Sequence, residues 1–254
     1  MSAARPLALG LAALAPLALG GCLGVQSTQE KSAAKAKVAK RAITGQKGLT
    51  IGKVNPDVKV QASGLVQDPN GVAAVVRLKN TGRTQAVLPV AITVSDAKGK
   101  KLYANDAPGL DPSLVSLPVL RAGEEADWVN NQILVAGRAK LVAARVGTAK
   151  AAPAGALPKI TLGAVTVGRD SDGTYAKGTV ANESAITQKR LVVSCVARRG
   201  DTILAAGRGV VERLAPAADS TKPTTFTVFF IGDPKGARVA CSSPPTVLRG
   251  GTGS

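Results

Sequence analysis

The sequence predicts an all-β protein: two tandem antiparallel β-sandwiches behind an apolar leader and a flexible polar tether. Three observations carry this. From about residue 51 the chain reads as short runs of Val, Ile, Leu and Thr separated by Gly, Pro, Asn and Asp turns. No amphipathic helical period interrupts those runs. The pattern also repeats: Asp68-Pro69-Asn70-Gly71 is matched by Asp170-Ser171-Asp172-Gly173, each just ahead of a strand, and Asn80 is matched by Asn182 at the same spacing.

The first element is residues 1–21. A short head containing Arg5 leads into an apolar stretch from Leu7 to Leu19, interrupted by Pro16, and then small residues. The stretch falls short of the roughly 20 residues that a bilayer-spanning helix needs, so it reads as a secretion signal rather than a retained span. Leu19-Gly20-Gly21-Cys22 resembles the lipobox of bacterial lipoproteins. The resemblance implies that residues 1–21 are removed and that Cys22 is lipidated and becomes the first residue. Two acyl chains suffice for stable anchoring where one is marginal. Ala18-Leu19-Gly20 also suits the general signal peptidase, which would release the protein. The lipidated reading places the protein in the cell envelope, on the outer face of the cytoplasmic membrane or, in a two-membrane cell, on the outer membrane.

Residues 22–50 follow as a Lys/Ala-rich basic tether with no β pattern. Ser27 and Glu30 offer a capping box for a short helix there, which is marginal in water without packing. The first sandwich spans 51–148, the Ala/Pro/Gly stretch 149–156 is the linker, the second sandwich spans 157–248, and 249–254 is a flexible tail. Within the copies, Val90–Asp96 with its Lys98-Gly99 turn aligns with Leu191–Ala197 and Arg199-Gly200. Leu120-Arg121-Ala122-Gly123 ahead of Trp128 parallels Leu214-Ala215-Pro216 ahead of Phe226. A final strand closes each copy, and the spacing drifts as loop insertions would make it.

About seven strands per copy, with turns every 8 to 12 residues, fit an immunoglobulin-like sandwich. The same residues are similar to the FxLYD-like domains of bacterial lipoproteins and secreted proteins. In that family an early strand ends in Asn, a hairpin carries a D-x-x-G turn, and a Leu-x-Pro-Gly segment precedes an aromatic strand. Copy one has Asn80, Asp96 to Gly99, Leu120 to Gly123 and Trp128. Copy two has Asn182, Gly200, Leu214 to Pro216 and Phe226, without the hairpin Asp and the Gly after Pro. The resemblance implies a cell-surface β-sandwich and supplies no catalytic residues.

With Cys22 assigned to lipid, Cys195 and Cys241 are left in a compartment where disulfides persist, and a bond between them is expected. On the alignment Cys195 falls on Val94 and Cys241 close to Ala144, so the Cα atoms of the cysteines should lie within about 7 Å.

Composition excludes more than it assigns. The chain has no His, which removes Ser-His-Asp and Cys-His nucleophilic centres and His-liganded zinc. With two Tyr, one Trp and three Phe, its cores are aliphatic. The net charge of +17 is spread over the tether and both copies. For an exported protein that balance points to anionic lipid headgroups or acidic wall polymers rather than nucleic acid, or simply to solubility.

Four constellations of side chains bear on chemistry. Ser32 to Lys35 and Ser95 to Lys98 match S-x-x-K but lack the S-D-N and K-T-G partners and the helical setting of serine acyltransfer. The turns at Asp68 and Asp170 resemble calcium-loop fragments, yet they supply too few oxygens and are explained by hairpin chemistry. Glu124, Glu125 and Asp127 form the densest acidic cluster, at a strand entrance, without the aromatic platforms of a glycosidase. Lys189, Arg190, Arg198, Arg199, Arg208 and Arg213 form a basic run across neighbouring strands of copy two, which is either a binding face or the solvated side of the sheet. The sequence therefore predicts a non-enzymatic, lipid-anchored interaction or accessory module with an envelope protein as partner and no cofactor or metal. The alternatives are a module for anionic wall polymer or lipid headgroups and, further off, a hydrolase.

Overall fold

Each copy carries an early hairpin whose tight turn is one of the two matched acidic tetrapeptides. The computed structural model describes residues 47–220 and 223–249, which belong to one compact unit, Gly45–Ser254. The leader, the lipobox Leu19 to Gly21, Cys22, the tether through residue 46, Ser32, Lys35 and the end of the tail lie outside the described residues. In copy one, β1 (Val58–Asp68) returns as β2 (Gly71–Asn80). The chain continues through β3 (Gln85–Ser95), β4 (Lys101–Ala104), β5 (Ser116–Leu120), β6 (Glu125–Ile133), β7 (Leu141–Val146) and β8 (Lys150–Ala151). Copy two comprises β9 (Ile160–Leu162), β10 (Thr166–Asp170), β11 (Gly173–Asn182), β12 (Gln188–Arg199), β13 (Thr202–Leu214), β14 (Thr224–Phe229), β15 (Ile231–Gly232) and β16 (Arg238–Ser242). All pairings are antiparallel, and the only helical pieces among the described residues are the 3₁₀ turns Pro112–Leu114 and Ala217–Asp219.

Two sheets face each other in each copy. In copy one they are β1-β2-β6 and β4-β3-β5, the latter extended by β7 and β8 along β3. Alternate residues of β2 (Val72, Ala74, Val76, Leu78) meet alternate residues of β3 (Leu88, Val90, Ile92, Val94) around Trp128. Copy two pairs β10-β11-β14, with β9 also on β11, against β15-β13-β12-β16. Its core is Ala176, Val180, Leu191, Val193, Cys195, Ala197, Phe226 and Val228. The period-two alternation of the sequence is thus the inner face of each sheet.

Register confirms the internal repeat strand by strand. Val76 stands opposite Trp128 and Gly178 opposite Phe226, and Gln85 faces Leu120 as Gln188 faces Leu214. Two residues after each of these buried glutamines the backbone turns left-handed, at Val87 (φ 50°) and Arg190 (φ 49°), the two positive-φ non-glycine residues among those described. The matched turns need Gly71 and Gly173, at φ 139° and 135°. Copy two carries one continuous strand, β13, where copy one splits the same path into β4 and β5 around residues 105–115. That insertion shortens the spacing between matched residues beyond it.

Asn80 and Asn182 close each copy from within. Asn80 Nδ2 donates to the carbonyls of Arg83 (2.9 Å), Leu120 (3.1 Å) and Arg121 (3.0 Å), while its Oδ1 accepts from Gly82 N (3.0 Å). Asn182 Nδ2 donates to Ile186 O (2.8 Å) and Leu214 O (3.5 Å), and Oδ1 accepts from Ser184 N (3.1 Å). One amide thereby satisfies turn carbonyls that burial would otherwise leave unpaired.

Cys195 and Cys241 are disulfide-bonded with Cα atoms 4.1 Å apart. They are directly opposed on β12 and β16, so the bond joins neighbouring strands of one sheet. The counterpart of Cys195 is Ile92, which faces Ala144, and not Val94, which faces Val142. The expected alignment was two residues out, one full strand period, which keeps the face and moves the position. The segment 149–156 also begins as strand rather than linker: Lys150 and Ala151 pair with Ala86 and Gln85, extending copy one's sheet.

Asn80→Ala should cost about 2 to 3 kcal/mol and Asn182→Ala about half of that, since the second amide serves fewer carbonyls; denaturant midpoints at constant slope measure both. Reducing Cys195–Cys241, which closes a separation of 46 residues, should cost roughly 4 kcal/mol by chain entropy, read as a lower midpoint under reductant.

Candidate functional site

β2 and β12 are each buried on both faces. The inner residues face their own sandwich; the alternate set, Ala73, Val75 and Val129 of copy one, meets Val196, Ala206 and Ile231 of copy two, with Val66 and Ile203 at the margin. The outer face of β1-β2-β6 therefore lies on the outer face of β15-β13-β12-β16. Gly64 lies under Ile203, where a Cβ would stand 2.9 Å from Ile203 Cδ1 and the Ile side chain would have to shift.

Of the ionisable residues singled out in the sequence, Asp68, Asp127, Arg190, Arg198 and Arg208 lie along this seam. Asp127 accepts a fork from Arg198, Nη1 to Oδ2 at 2.7 Å and Nη2 to Oδ1 at 2.9 Å, and Arg77 Nε adds a third bond at 3.2 Å. Asp111, in the insertion of copy one, takes Arg190 Nη2 at 2.5 Å and lies 3.8 Å from Arg208 Nη2. Its carboxylate also accepts from Ser113 N (2.9 Å) and from the Ser113 hydroxyl. Asp68 Oδ2 accepts from Gly232 N at 2.9 Å, and Arg121 Nη2 donates to Pro158 O at 3.3 Å.

These contacts set the electrostatics. Burial works to raise the Asp111 carboxyl, but the Ser113 hydrogen bonds, Arg190 and Arg208 outweigh it and hold it below the usual carboxylate range. Burial pushes the Arg208 guanidinium down, opposed by Asp111. Its side chain is only 3% exposed, and Nη1 has no hydrogen-bond partner among the described residues. Asp127 raises Arg77, chiefly through the hydrogen bond.

The six basic residues of copy two thus separate. Arg190, Arg198 and Arg208 are turned onto copy one. Arg199 donates to the carbonyls of Lys235 (3.1 Å) and Gly236 (3.4 Å). Lys189 and Arg213 stand opposite each other, both exposed. The acidic cluster separates too: Glu124 accepts from Arg121 N (2.7 Å), Glu125 pairs with Lys79 (3.2 Å), and Asp127 is in the seam. Asp68 and Asp170 cap their own turns at Asn70 N (2.8 Å) and Asp172 N (2.9 Å). Asp96, beside Ser95, caps the next turn through Lys98 N (2.8 Å) and Lys100 N (2.9 Å). Among the described residues no group of three or more Cys, Asp or Glu could hold a metal ion, and no helix is long and apolar enough to cross a membrane. The residue that sequence reasoning missed is Asp111. Nothing in its local sequence, Leu110-Asp111-Pro112, distinguishes a 3₁₀ cap from an acid that also gathers two arginines of another sandwich.

No protein-family model matches this chain, and no curated protein matches it significantly.

Asp127→Ala should destabilise the whole unit by about 3 kcal/mol, because it strands a largely buried Arg198; a single lowered unfolding midpoint measures it. Asp111 has a folded pKa below its unfolded one, so its stabilisation is complete above the ordinary carboxylate pKa of about 4 and is lost as pH falls through the lower folded value. Asp111→Asn should therefore flatten the acid limb of unfolding midpoint against pH, measured from pH 7 to pH 2.

Proposed function

We propose that this protein is a non-enzymatic lipoprotein of the bacterial envelope, anchored through Cys22, whose two sandwiches act as one rigid interaction or accessory module for another envelope protein. The observation that supports it most is the use made of the reactive side chains. Asp127, Asp111, Arg190, Arg198 and Arg208 are spent in joining copy one to copy two, and Glu124 and Glu125 are each committed to a neighbour. Acid–base catalysis requires groups that converge on a substrate, and these converge on one another. A fixed pair of sandwiches suits recognition by surface shape, and the lipobox-like Leu19 to Cys22 supplies the address.

Mass spectrometry of the N-terminal peptide from native membranes should find a diacylglyceryl group on Cys22, absent from Cys22→Ser. Cross-linking and affinity capture of the full-length protein should retain one envelope protein near stoichiometrically, lost in the same variant. An unmodified N-terminus would overturn the anchor. Turnover on a substrate panel, abolished by Glu124→Gln without loss of fold, would overturn the non-enzymatic reading.

A further inference from the structure

One end of copy one combines unpaired cations with exposed leucines. It is built from the β3–β4 turn, residues 96–100, and the β6–β7 loop, residues 134–140. The two are joined where Lys140 N donates to Ser95 O at 2.9 Å, and Ser95 lies between Lys101 on β4 and Leu141 on β7. Lys98, Lys100, Arg138 and Lys140 are exposed there, and none has an acidic partner among the described residues. The nearby acids are occupied: Asp96 caps its turn, Asp68 holds Gly232 N, and Asp106 pairs with Lys101 at 3.3 Å. Leu134 is 81% exposed and Leu141 54%.

The loop that presents Leu134 is held rather than loose. Gln67 Nε2 donates to Gly137 O and Gln67 Oε1 accepts from Ala139 N, both at 2.9 Å, and Val135 and Ala139 pack into the core of copy one. A single exposed Leu is ordinary. Two beside four uncommitted cations, on a braced loop, match the two things a phospholipid surface offers: negative headgroups and an apolar layer just below them.

The path of the chain adds a second argument. Residues 47–51 run across Ala91 to Thr93 and Ala104 to Asp106, with Gly48 so close to Asp106 O that a Cβ would overlap it. Asn105 meets Ile92, and from Ile92 to Ser95 is about 10 Å of strand. The first described residues thus lie along the half of β3 that ends at the basic turn.

We propose that this end of copy one docks on an anionic phospholipid bilayer, with Lys98, Lys100, Arg138 and Lys140 against the headgroups and Leu134 entering the interface. The proposal rests on the envelope reading for its choice of surface, but its test is separate, because vesicle binding is measured without acylation and Cys22 modification is measured without vesicles.

The test is sedimentation of the full-length Cys22→Ser chain with vesicles of phosphatidylglycerol and phosphatidylcholine, against phosphatidylcholine alone. The leader and tether are common to all variants and cancel in comparison. Replacing Lys98, Lys100, Arg138 and Lys140 together by Gln should lower partitioning onto the anionic vesicles by up to roughly a thousand-fold. The same number of charges removed from copy two, at Arg169, Lys177, Lys189 and Arg213, should leave most of it. In Leu134→Trp the new indole should be quenched by brominated lipid, while Trp128, 3% exposed, is not. Equal loss in both charge sets, an unquenched indole, or equal affinity of the parent for soluble polyphosphate would each overturn the proposal. Unchanged thermal midpoints in the two charge sets separate these outcomes from unfolding.

Discussion

Everything about this molecule depends on two strands having no solvent face. β2 and β12 each sit at the centre of a sheet that is covered on one side by its own sandwich and on the other by the neighbouring copy. A strand in that position needs apolar residues in succession, and both have them: Val72 through Val76, and Val193 through Ala197 with Ser194 the one polar member, buried beside the disulfide cysteine. Antiparallel sheets ordinarily alternate because one face is wet. Here the alternation is interrupted where the copies meet, and the repeat becomes one body instead of two beads.

An apolar seam of Ala, Val and Ile fixes that the faces meet but hardly fixes how, because small aliphatic surfaces slide with little penalty. The direction comes from the charges around it. Asp127 binds Arg198 through a planar fork, whose geometry tolerates little rotation. Asp111 gathers Arg190 and Arg208 elsewhere along the seam. Gly64 faces Ile203 at the other edge of the seam, on β1, where a side chain would press on it. The left-handed residue in β12 belongs to the same device. It occurs in both copies, but in copy two it is Arg190, so the kink that copy one spends on an exposed Val87 delivers a guanidinium to Asp111.

The parts legible in sequence were those whose signal is local. The tight turns at Asp68 and Asp170, the closing asparagines, and the matched positions of Trp128 and Phe226 depend on a few adjacent residues, and each stands where the repeat placed it. The strand ends slipped because residues 105–115 of copy one stand where copy two continues a single strand, dividing one path into β4 and β5, and the half-disulfide alignment slipped because alternation alone cannot tell a residue from the one two further on. The basic run of copy two was ambiguous for a different reason. A cation on the outer face of a sheet reads the same whether water or another sheet lies beyond it; only the partner acids decide, and they sit in copy one, far away in sequence. The basic end of copy one was hidden by the same distance, since Lys98 and Lys100 come from one hairpin and Arg138 and Lys140 from another loop.

Arg208 shows what the seam costs and what it secures. A guanidinium with one nitrogen unpartnered and a carboxylate at 3.8 Å is a poor ion pair by distance, and burial of such a group is commonly neutral or worse for stability. Its value lies in the alternatives it forbids. Any rotation that moved Arg208 from Asp111 would leave a buried charge with no counter-ion, a larger penalty than the imperfect pairing it now has. The seam therefore trades some stability for a single mutual orientation of the copies. That orientation keeps the loops of copy one at a fixed place on the whole body, so a surface formed from two of them, Leu134 and its neighbouring cations included, is presented as a rigid feature and loses little entropy when it is used.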